Sequence, residues 1–259
     1  MSNGEIDDPL TPHPSPLTRM PHSLFISDLH LSADHPESAS AFSEFLSSTA
    51  TQAEALYILG DLFEYWAGDD DIHDPFNQQV IRALASLYST GVALYLMHGN
   101  RDFLMGDTLA AACGAQILPD PSLISIHGTP TLLMHGDTLC SDDTDYMAFR
   151  TQVRTPQWQE NFLAQPLAQR KAQIEHLRAQ SKLAQSRKAA EIMDVNAESV
   201  INTLRSYGYP RLIHGHTHRP ARHEHAVDQH RCERWVLPDW YEQGGYLRCD
   251  ANGCEAIRI

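Results

Sequence analysis

Five short apolar runs in this sequence each end in polar residues of types that bind metal ions. Each run favours a buried β-strand, because it is rich in branched and aromatic residues and stops abruptly. The polar residues that follow the runs are Asp28 and His30, Asp61, Asn100, His135, and His216 with His218. One such aspartate alone would more often be a helix N-cap. Five in succession predict side chains that meet at one edge of a sheet, where open α/β folds place their ligand sites.

The length and composition allow one α/β domain and exclude some partners. The chain has 259 residues, of which 42% are hydrophobic, so a complete core can form. The formal net charge of −14 argues against nucleic acid as a partner. No apolar run reaches about 18 residues and no secretory signal is evident, so we expect a cytoplasmic protein without a transmembrane helix. No obligate protein partner is evident from the sequence.

The N-terminal residues differ in composition from the region that follows them. Residues 1–20 are acidic and then rich in proline, which predicts a disordered tail. The remaining residues, 21–259, form the predicted domain. From Leu24 to about Thr138, strands alternate with helices predicted at Ser40–Ala50 and Phe76–Tyr88.

Residues from about 142 to 207 are typical of a helical insert, with a long helix between Pro166 and Met193. Eight of the chain's 19 Lys and Arg residues lie between Arg150 and Lys188, with only two acids beside them. A solvated helix face with ion pairs is the simpler interpretation. Because so few acids lie within the segment, we favour a lid whose cations meet an anionic ligand or a membrane surface. The strand pattern returns after the insert.

Two smaller features each have a simple and a functional interpretation. The three consecutive aspartates of the loop Trp66–Asp71 could bind a cation, but a solvated acidic turn is favoured. The five cysteines form no C-x-x-C pair, so we expect free thiols. Cys249 and Cys254 as half of a zinc site is the less favoured alternative.

The candidate ligands combine imidazole, carboxylate and amide oxygen, which suits manganese, iron or zinc. No thiolate is among them, so a structural zinc site is not favoured. Asp28 with His30, and His216 with His218, are separated by one residue, so each pair can lie on the same side of an extended segment. Seven donors exceed the need of one ion and predict two, with Asp61 as the shared ligand. Two such ions generate hydroxide near neutral pH and stabilise both ends of a phosphoryl transfer.

The motifs D-x-H, G-D, G-N-x-D, H-G-D and G-H-x-H, in this order, resemble those of the calcineurin-like metallophosphoesterases. The resemblance implies an α/β fold with a β-sandwich core flanked by helices. It also implies two metal sites. One would be formed by Asp28, His30, Asp61 and His218, and the other by Asp61, Asn100, His135 and His216.

Arg101 departs from the G-N-H-[DE] motif that is common in that family, because it stands in place of the histidine. Arginine stays protonated and cannot act as a general acid. It can bind a phosphate through two hydrogen bonds and stabilise charge in the transition state. A leaving group beside Arg101 should therefore already be acidic, which favours cleavage of a pyrophosphate over that of a simple monoester.

Longer stretches of the sequence resemble a narrower group within that family. Those within 61–64, 135–143, 192–196 and 214–220 resemble the UDP-2,3-diacylglucosamine pyrophosphohydrolases of lipid A biosynthesis. The resemblance implies hydrolysis of UDP-2,3-diacylglucosamine to UMP and 2,3-diacylglucosamine 1-phosphate (lipid X). It further implies manganese as the usual metal, hydroxide attack on the uridine-side phosphorus, and an enzyme that works peripherally at the inner membrane with its helical insert as a lid.

The same resemblance assigns roles to individual residues. The implied catalytic residues are Asp61, Arg101 and His216. The implied substrate contacts are Asn100, Arg101, Asp143, Ser181, Gln185, Lys188 and His216, of which Ser181, Gln185 and Lys188 share one helix face. The alternatives are another phosphoesterase of this fold, acting on nucleotides or phosphoproteins, and a non-catalytic binding module. The complete ligand set argues against the binding module, and Arg101 argues against a general phosphatase.

Overall fold

The structure is a computed structural model that describes residues 21–185, 194–241 and 244–259, without the side chains of residues 182–185. The predicted tail, residues 1–20, lies outside the described residues. The rest shows a mixed α/β architecture of two β-sheets with helices packed on their outer faces. The prediction of fold class is therefore confirmed.

Strands follow the apolar runs of the sequence. In chain order they are β1 (Ser23–Ile26), β2 (Ala55–Leu59), β3 (Ala93–Met97), β4 (Ala115–Leu118), β5 (Ser122–Ile126), β6 (Thr129–Leu133), β7 (Arg211–His214), β8 (Ala221–Val227), β9 (His230–Val236), β10 (Gly245–Asp250) and β11 (Gly253–Arg258). Every residue of β1 and β2 is buried, as expected for strands covered on both faces.

The first sheet has the order β11-β10-β1-β2-β3-β4, and the second has the order β5-β6-β7-β9-β8. Strands β1 to β4 pair in parallel, and so do β6, β7 and β9. The carboxyl ends of β1, β2 and β3 therefore lie at one edge of the first sheet, and those of β6 and β7 at one edge of the second. This arrangement brings the candidate ligands of both sheets to the same end of the sandwich.

The helices are α1 (Pro36–Ser47), α2 (Pro75–Ser89), α3 (Asp107–Cys113), α4 (Thr144–Val153), α5 (Pro156–Leu163), α6 (Leu167–Gln185) and α7 (Ala197–Ser206). The two helices predicted before residue 138 correspond to α1 and α2, and α1 begins four residues earlier than the sequence pattern indicates. Proline at the first helical position explains both starts, because its fixed φ and missing N–H suit that position.

Three apolar clusters hold these layers together. One packs α1, α2 and α3 on the first sheet, a second lies between the two sheets, and a third packs α7 on the outer face of the second sheet. Trp158 and Phe162 of α5 and Ile174 of α6 join the first cluster. The insert is thus anchored on the helical side of the first sheet, whereas α7 belongs to the packing of the second.

The two ends of the insert are joined by one asparagine. Asn196 accepts a hydrogen bond from the Ser199 amide at 3.0 Å as the N-cap of α7. Its Nδ2 donates to the Asp142 carboxylate at 2.9 and 3.1 Å, and its amide donates to the Leu139 carbonyl. The chain therefore leaves and re-enters the core at a single point, which leaves α4, α5 and α6 as the part of the insert that can act as a lid.

The expectation of five free thiols is wrong for two of them. Cys249 and Cys254 form a disulfide, with their Cα atoms 4.1 Å apart. They lie directly opposite each other in the β10–β11 hairpin, a pairing that their sequence spacing did not make evident. Cys113, Cys140 and Cys232 are buried and, in the described part of the chain, not disulfide-bonded. The disulfide also excludes Cys249 and Cys254 as a zinc half-site in this state.

Candidate metal centre

The predicted ligands converge on one point at the strand ends. They follow β1 (Asp28, His30), β2 (Asp61), β3 (Asn100), β6 (His135) and β7 (His216, His218). Asp28, His30, Asp61 and His135 are at most 3% exposed, while the other three are half-buried. Burial of this many polar groups requires that they pair with each other or with a cation.

On one side of the cluster, His30 and His218 face Asp28. The Nε2 atoms of the two imidazoles are 3.4 Å apart, and His218 Nε2 lies 3.5 Å from Asp28 Oδ1. Each of these residues offers a donor atom within 4.8 Å of the others, so the three can hold one metal ion.

On the other side, the side-chain oxygen of Asn100 meets two imidazoles. It lies 3.0 Å from His135 Nε2 and 2.9 Å from His216 Nδ1. The His135 ring is oriented by its other nitrogen, which lies 3.0 Å from the Leu59 carbonyl oxygen. A backbone partner of this kind fixes the tautomer of a metal-binding histidine.

Asp61 lies between the two sides. Its Oδ2 is 3.8 Å from His30 Nε2 and 3.9 Å from His135 Nε2. Asp28, Asp61 and His135 form a second set of donors within 4.8 Å of one another. Both aspartates are therefore placed centrally, whereas the sequence singled out Asp61 alone as the shared ligand.

The chemistry of the cluster fits divalent cations. Asp28 Oδ1 is buried without a hydrogen-bond partner, which leaves a buried anionic oxygen to be satisfied. Burial raises the pKa of Asp61 to about 6, and the nearby Asp102 and Asp28 carboxylates add to the effect. A cation placed among these groups would stabilise the charged carboxylates, and the oxygen and nitrogen donors suit manganese, iron or zinc.

The backbone at the ligands is held in an unusual conformation. Five of the predicted ligands have positive φ angles: Asp28 (54°), His30 (49°), Asp61 (53°), His216 (68°) and His218 (52°). Residues other than glycine rarely adopt this region, and each instance costs on the order of 1 kcal/mol or more. Strain that is concentrated on these residues is typical of a functional site, because the fold holds the side chains in place at the expense of stability.

Two glycines of the motifs allow the loops to approach each other closely. A Cβ at Gly60, whose φ is 91°, would collide with the His135 ring and with the backbone of Gly99. A Cβ at Gly99 would collide in turn with the Asp61 carboxylate. Any larger residue at either position would therefore displace a ligand.

Asp102 holds the loops after β2 and β3 together. Its buried carboxylate accepts hydrogen bonds from the amides of Leu62 at 2.7 Å and Gly99 at 2.8 Å, and a longer one from that of Asp61. The last residue of the G-N-x-D motif is thus structural, and it sets the spacing between two predicted ligands.

Arg101 lies beside the cluster. Its amide donates a hydrogen bond of 2.8 Å to Asp61 Oδ1, and its guanidinium lies 3.7 Å from the Glu64 carboxylate. The side chain is 24% exposed, so the guanidinium can reach a ligand bound at the centre. This position agrees with the role expected for it but does not test that role.

Helix α4 covers the side of the centre formed by β6 and β7. Tyr146 donates a hydrogen bond of 2.5 Å to Asp137 Oδ2, and Arg150 Nε contacts the same oxygen at 2.6 Å. The Tyr146 ring stacks on that of His216, with centroids 6.0 Å apart. The third residue of the H-G-D motif therefore docks the insert beside a predicted ligand.

The structure describes some of the residues of the insert that are predicted to contact the substrate. Asp143 is the N-cap of α4 and accepts a hydrogen bond from the Tyr146 amide at 3.1 Å. Ser181 is exposed on α6, and Gln185 is its last residue. Lys188 and the side chain of Gln185 lie outside the described residues, so the shared face of these three residues stays a prediction.

The expectation that too few acids are present to pair the basic residues of the insert is wrong for four of the five described side chains between Arg150 and Arg178. Arg150 pairs with Asp137, Lys171 with Asp71 at 2.7 Å, Arg170 with Asp70, and Arg178 with Glu64. Arg154 donates to the Gly99 carbonyl at 2.7 Å. The acids come from other parts of the chain, which is why a count within the segment missed them.

The acidic turn is less solvated than expected, because its carboxylates bind other parts of the chain, although Asp70 is 59% exposed. Asp69 accepts hydrogen bonds from the Trp66 indole and from the amides of Gly106, Thr108 and Leu109, at 2.9 to 3.1 Å. Its neighbours Asp70 and Asp71 pair with α6. The turn thus fastens α6 and α3 to the loop after β2.

The sequence alone gave no role to Glu64, Asp102 and Asp137, although each lies in a motif. Glu64 follows Asp61 by three residues, and its Oε2 lies 3.1 Å from His30 Nδ1 without the alignment of an ideal hydrogen bond. The sequence signal that could have identified Glu64 was a carboxylate at short spacing from a predicted ligand. Metal-bound histidines usually have such a partner on the ring nitrogen that does not bind the metal.

Comparison of the sequence with known proteins identifies a family. The sequence pattern of the calcineurin-like phosphoesterases matches residues 22–220. This chain belongs to the calcineurin-like phosphoesterase family. The match confirms the family that was predicted from the sequence motifs.

Curated relatives of the phosphoesterase cover nearly all of its length. It is 55% identical over 231 residues to a UDP-2,3-diacylglucosamine hydrolase of Aromatoleum aromaticum, which covers 89% of this chain and 94% of the relative. Proteins of the same name from Cellvibrio japonicus and Edwardsiella ictaluri are 50% and 49% identical. Those alignments cover 90% and 92% of this chain, and 96% and 92% of the relatives.

Among the residues that the structure describes, no helix has the length and apolar character needed to cross a membrane.

Proposed function

We propose that this phosphoesterase hydrolyses the pyrophosphate bond of UDP-2,3-diacylglucosamine to UMP and 2,3-diacylglucosamine 1-phosphate. The observation that carries the proposal is the buried cluster of Asp, His and Asn side chains beside Arg101. The substrate is that for which relatives with 49 to 55% identity are named.

Two divalent cations, with Mn2+ as the expected metal, would occupy the cluster and supply hydroxide near neutral pH together with charge neutralisation. Asp28, His30, Asp61 and His218 would hold the first. Asp61, Asn100, His135 and His216 would hold the second. The distances of 3.4 to 3.8 Å between donors on the His30 side, and the buried Asp28 oxygen without a hydrogen-bond partner, support this assignment.

Arg101 and His216 would bind the substrate phosphates. Arg101 carries a permanent charge and donates several N–H groups in a planar fork, which matches the oxygens of a departing phosphate. No proton is needed by such a leaving group, since the sugar phosphate is already a weak base. This difference from a histidine explains why the site suits an anhydride better than an alkyl monoester.

The water-derived oxygen would be added to the uridine-side phosphorus. Arg101 then neutralises the sugar phosphate as it departs, and Asn100 and His216 position the phosphorus that is attacked. Reaction in oxygen-18 water should label UMP and leave the lipid phosphate unlabelled. Label in the lipid phosphate would reverse the assignment of leaving group.

The insert would shelter the acyl chains and bring the enzyme to the inner membrane surface. Among the side chains that the structure describes, α4, α5 and α6 each expose one large apolar residue: Phe149, Leu163 and Leu177. Peripheral binding needs such apolar area rather than a spanning helix. Asp143, Ser181, Gln185 and Lys188 would contact the polar part of the lipid.

The experiment that tests the proposal is turnover by the purified protein after removal of its metals. UMP release from UDP-2,3-diacylglucosamine should be absent without metal and should return as Mn2+ is titrated to two equivalents. A panel of a nucleotide diphosphate sugar without acyl chains, a nucleoside monophosphate and a phosphopeptide tests the alternative of another phosphoesterase. Faster turnover of any of these than of the lipid substrate would replace the proposal with that alternative.

A further inference from the structure

Glu64 lies where the metal centre, the insert and Arg101 meet. Its Oε2 is 3.1 Å from His30 Nδ1 and accepts a hydrogen bond of 3.2 Å from the Tyr241 hydroxyl. Its Oε1 contacts Arg178 Nη2 of α6 and lies 3.7 Å from Arg101 Nη1. One carboxylate oxygen thus faces a predicted ligand, and the other faces two arginines.

The surroundings fix both the Glu64 carboxylate and the His30 ring. The Glu64 side chain is 12% exposed and lies between the His30 ring and the guanidinium groups of Arg101 and Arg178. The Tyr241 ring stacks on His30, with centroids 4.8 Å apart and planes 12° from parallel.

We infer that Glu64 is a positioning residue through which helix α6 of the insert orients His30 and Arg101. Arg178 stands 114 residues from Glu64 in sequence, so the pairing exists only when α6 is docked. With Arg178 in place, the carboxylate is fixed on the side away from the metal centre. Its other oxygen can then hold the His30 ring, which presents Nε2 to the cluster.

This coupling has a consequence for metal affinity. A carboxylate beside the outer nitrogen of a metal-bound imidazole fixes the ring and raises its basicity, and its loss typically costs about 10 to 100-fold in affinity. Glu64 does not reach the Asn100 side of the cluster through any contact among the described residues. The loss should therefore fall on the site that contains His30 and spare the site that contains Asn100.

The inference rests on the proposed function only for the role of Arg101, and its test is made on metal binding. The metal-free forms of Glu64→Ala, Glu64→Gln and Arg178→Gln are titrated with Mn2+ by calorimetry. Glu64→Ala should lose about 10 to 100-fold in affinity at one site and little at the other. Glu64→Gln keeps an acceptor oxygen for His30 and should retain more of the affinity than Glu64→Ala.

Arg178→Gln should weaken the same site about threefold or more, although Arg178 lies outside the predicted ligand set. The matched control is Lys171→Gln, which also removes a cation of α6 but pairs with Asp71 and Asp74 instead of Glu64. It should leave both affinities unchanged. In the double variant of Glu64→Ala with Arg178→Gln, the second change should add little, since the two residues act through one contact.

Wild-type affinity at both sites in Glu64→Ala would overturn the inference. So would equal losses in Arg178→Gln and Lys171→Gln, because these would indicate general undocking of α6. If Glu64→Ala does not fold, the inference is tested by comparing the Mn2+ affinities of Arg178→Gln and Lys171→Gln. A wild-type protein that binds two Mn2+ but does not cleave the lipid substrate would contradict the proposed function and leave this inference intact.

Discussion

Asp61 and Asp28 are the two residues that can bridge a pair of cations, and single substitutions distinguish them. Asp61→Ala should abolish binding of both ions, since Asp61 Oδ2 lies within 3.9 Å of nitrogens on both sides of the cluster. His218→Ala should weaken only one ion, because its contacts are on one side. Metal counting after dialysis measures both. Two ions retained by the Asp61 variant, with both lost in Asp28→Ala, would assign the bridge to Asp28.

Arg101 is the residue whose chemistry separates this site from a general phosphatase. Arg101→His should lower kcat for UMP release by about 100-fold or more, because an imidazole cannot replace a bidentate guanidinium in stabilising the departing phosphate. Mn2+ stoichiometry should be unchanged, since only the backbone amide of Arg101 touches a predicted ligand. Arg101→Lys keeps the charge and serves as the control. Near-normal kcat in the histidine variant would show that the leaving group does not depend on the guanidinium.

Single residues also show how far the sequence predicts the site. The seven predicted ligands could be picked out of the sequence because each follows an apolar run, and strand direction then places them together. The positive φ angles of Asp28, His30 and Asp61 were not, because they arise from the loop geometry that tertiary packing imposes. Glu64 and Asp137 were overlooked because their partners, Arg178 and Arg150, come from the insert, and no local pattern reveals which distant cation a carboxylate meets.

Among the elements, the turn that contains Asp69 determines how α3 and the loop after β2 pack. Asp69→Ala should lower the free energy of unfolding by about 2 kcal/mol or more, because it leaves several partly buried N–H groups without their charged acceptor. Asp107→Ala is the matched control. It removes an exposed carboxylate from the first turn of the same helix and should cost no more than about 0.5 kcal/mol. Urea unfolding measures both, and equal effects would contradict a structural role for Asp69.

The insert shows why element positions were easier to predict than element contacts. Its helices follow from composition and from the loss of the strand pattern, and α6 lies within the predicted long helix. The partners of Arg170 and Lys171 lie about 100 residues earlier, in an acidic turn that looks solvated when considered alone. The same limit applies to Cys249 and Cys254, whose pairing depends on the register of a hairpin.

At the scale of the whole molecule, the N-terminal segment can be separated from the domain by truncation. The family match begins at residue 22, and β1 begins at Ser23. Deleting residues 1–19 should therefore leave activity unchanged and shift the melting temperature by less than about 2 °C, which corresponds to no more than about 1 kcal/mol. Deleting residues 1–26 is the contrasting control, since it removes β1 from between β2 and β10 and should prevent folding. A large loss in the shorter deletion would show that the segment packs on the domain.

Membrane engagement depends on the balance between charge and apolar area over the whole surface. The formal net charge of −14 opposes adsorption to anionic lipid, and four of the five described cations between Arg150 and Arg178 already pair with acids of this chain. We therefore expect the exposed apolar side chains of the insert to supply the binding, at about 1 kcal/mol for each partly buried side chain.

The combined variant Phe149→Ser, Leu163→Ser and Leu177→Ser should reduce sedimentation with phospholipid vesicles about tenfold or more. The combined variant Tyr88→Ser, Leu123→Ser and Ile259→Ser is the control, because it removes three exposed large side chains from outside the insert. It should bind as the wild type does. UMP release from a soluble short-chain substrate should be similar in all three proteins, which separates membrane binding from catalysis. Equal losses of vesicle binding in both variants would mean that apolar exposure acts without regard to position, and the insert would not be the membrane-facing side.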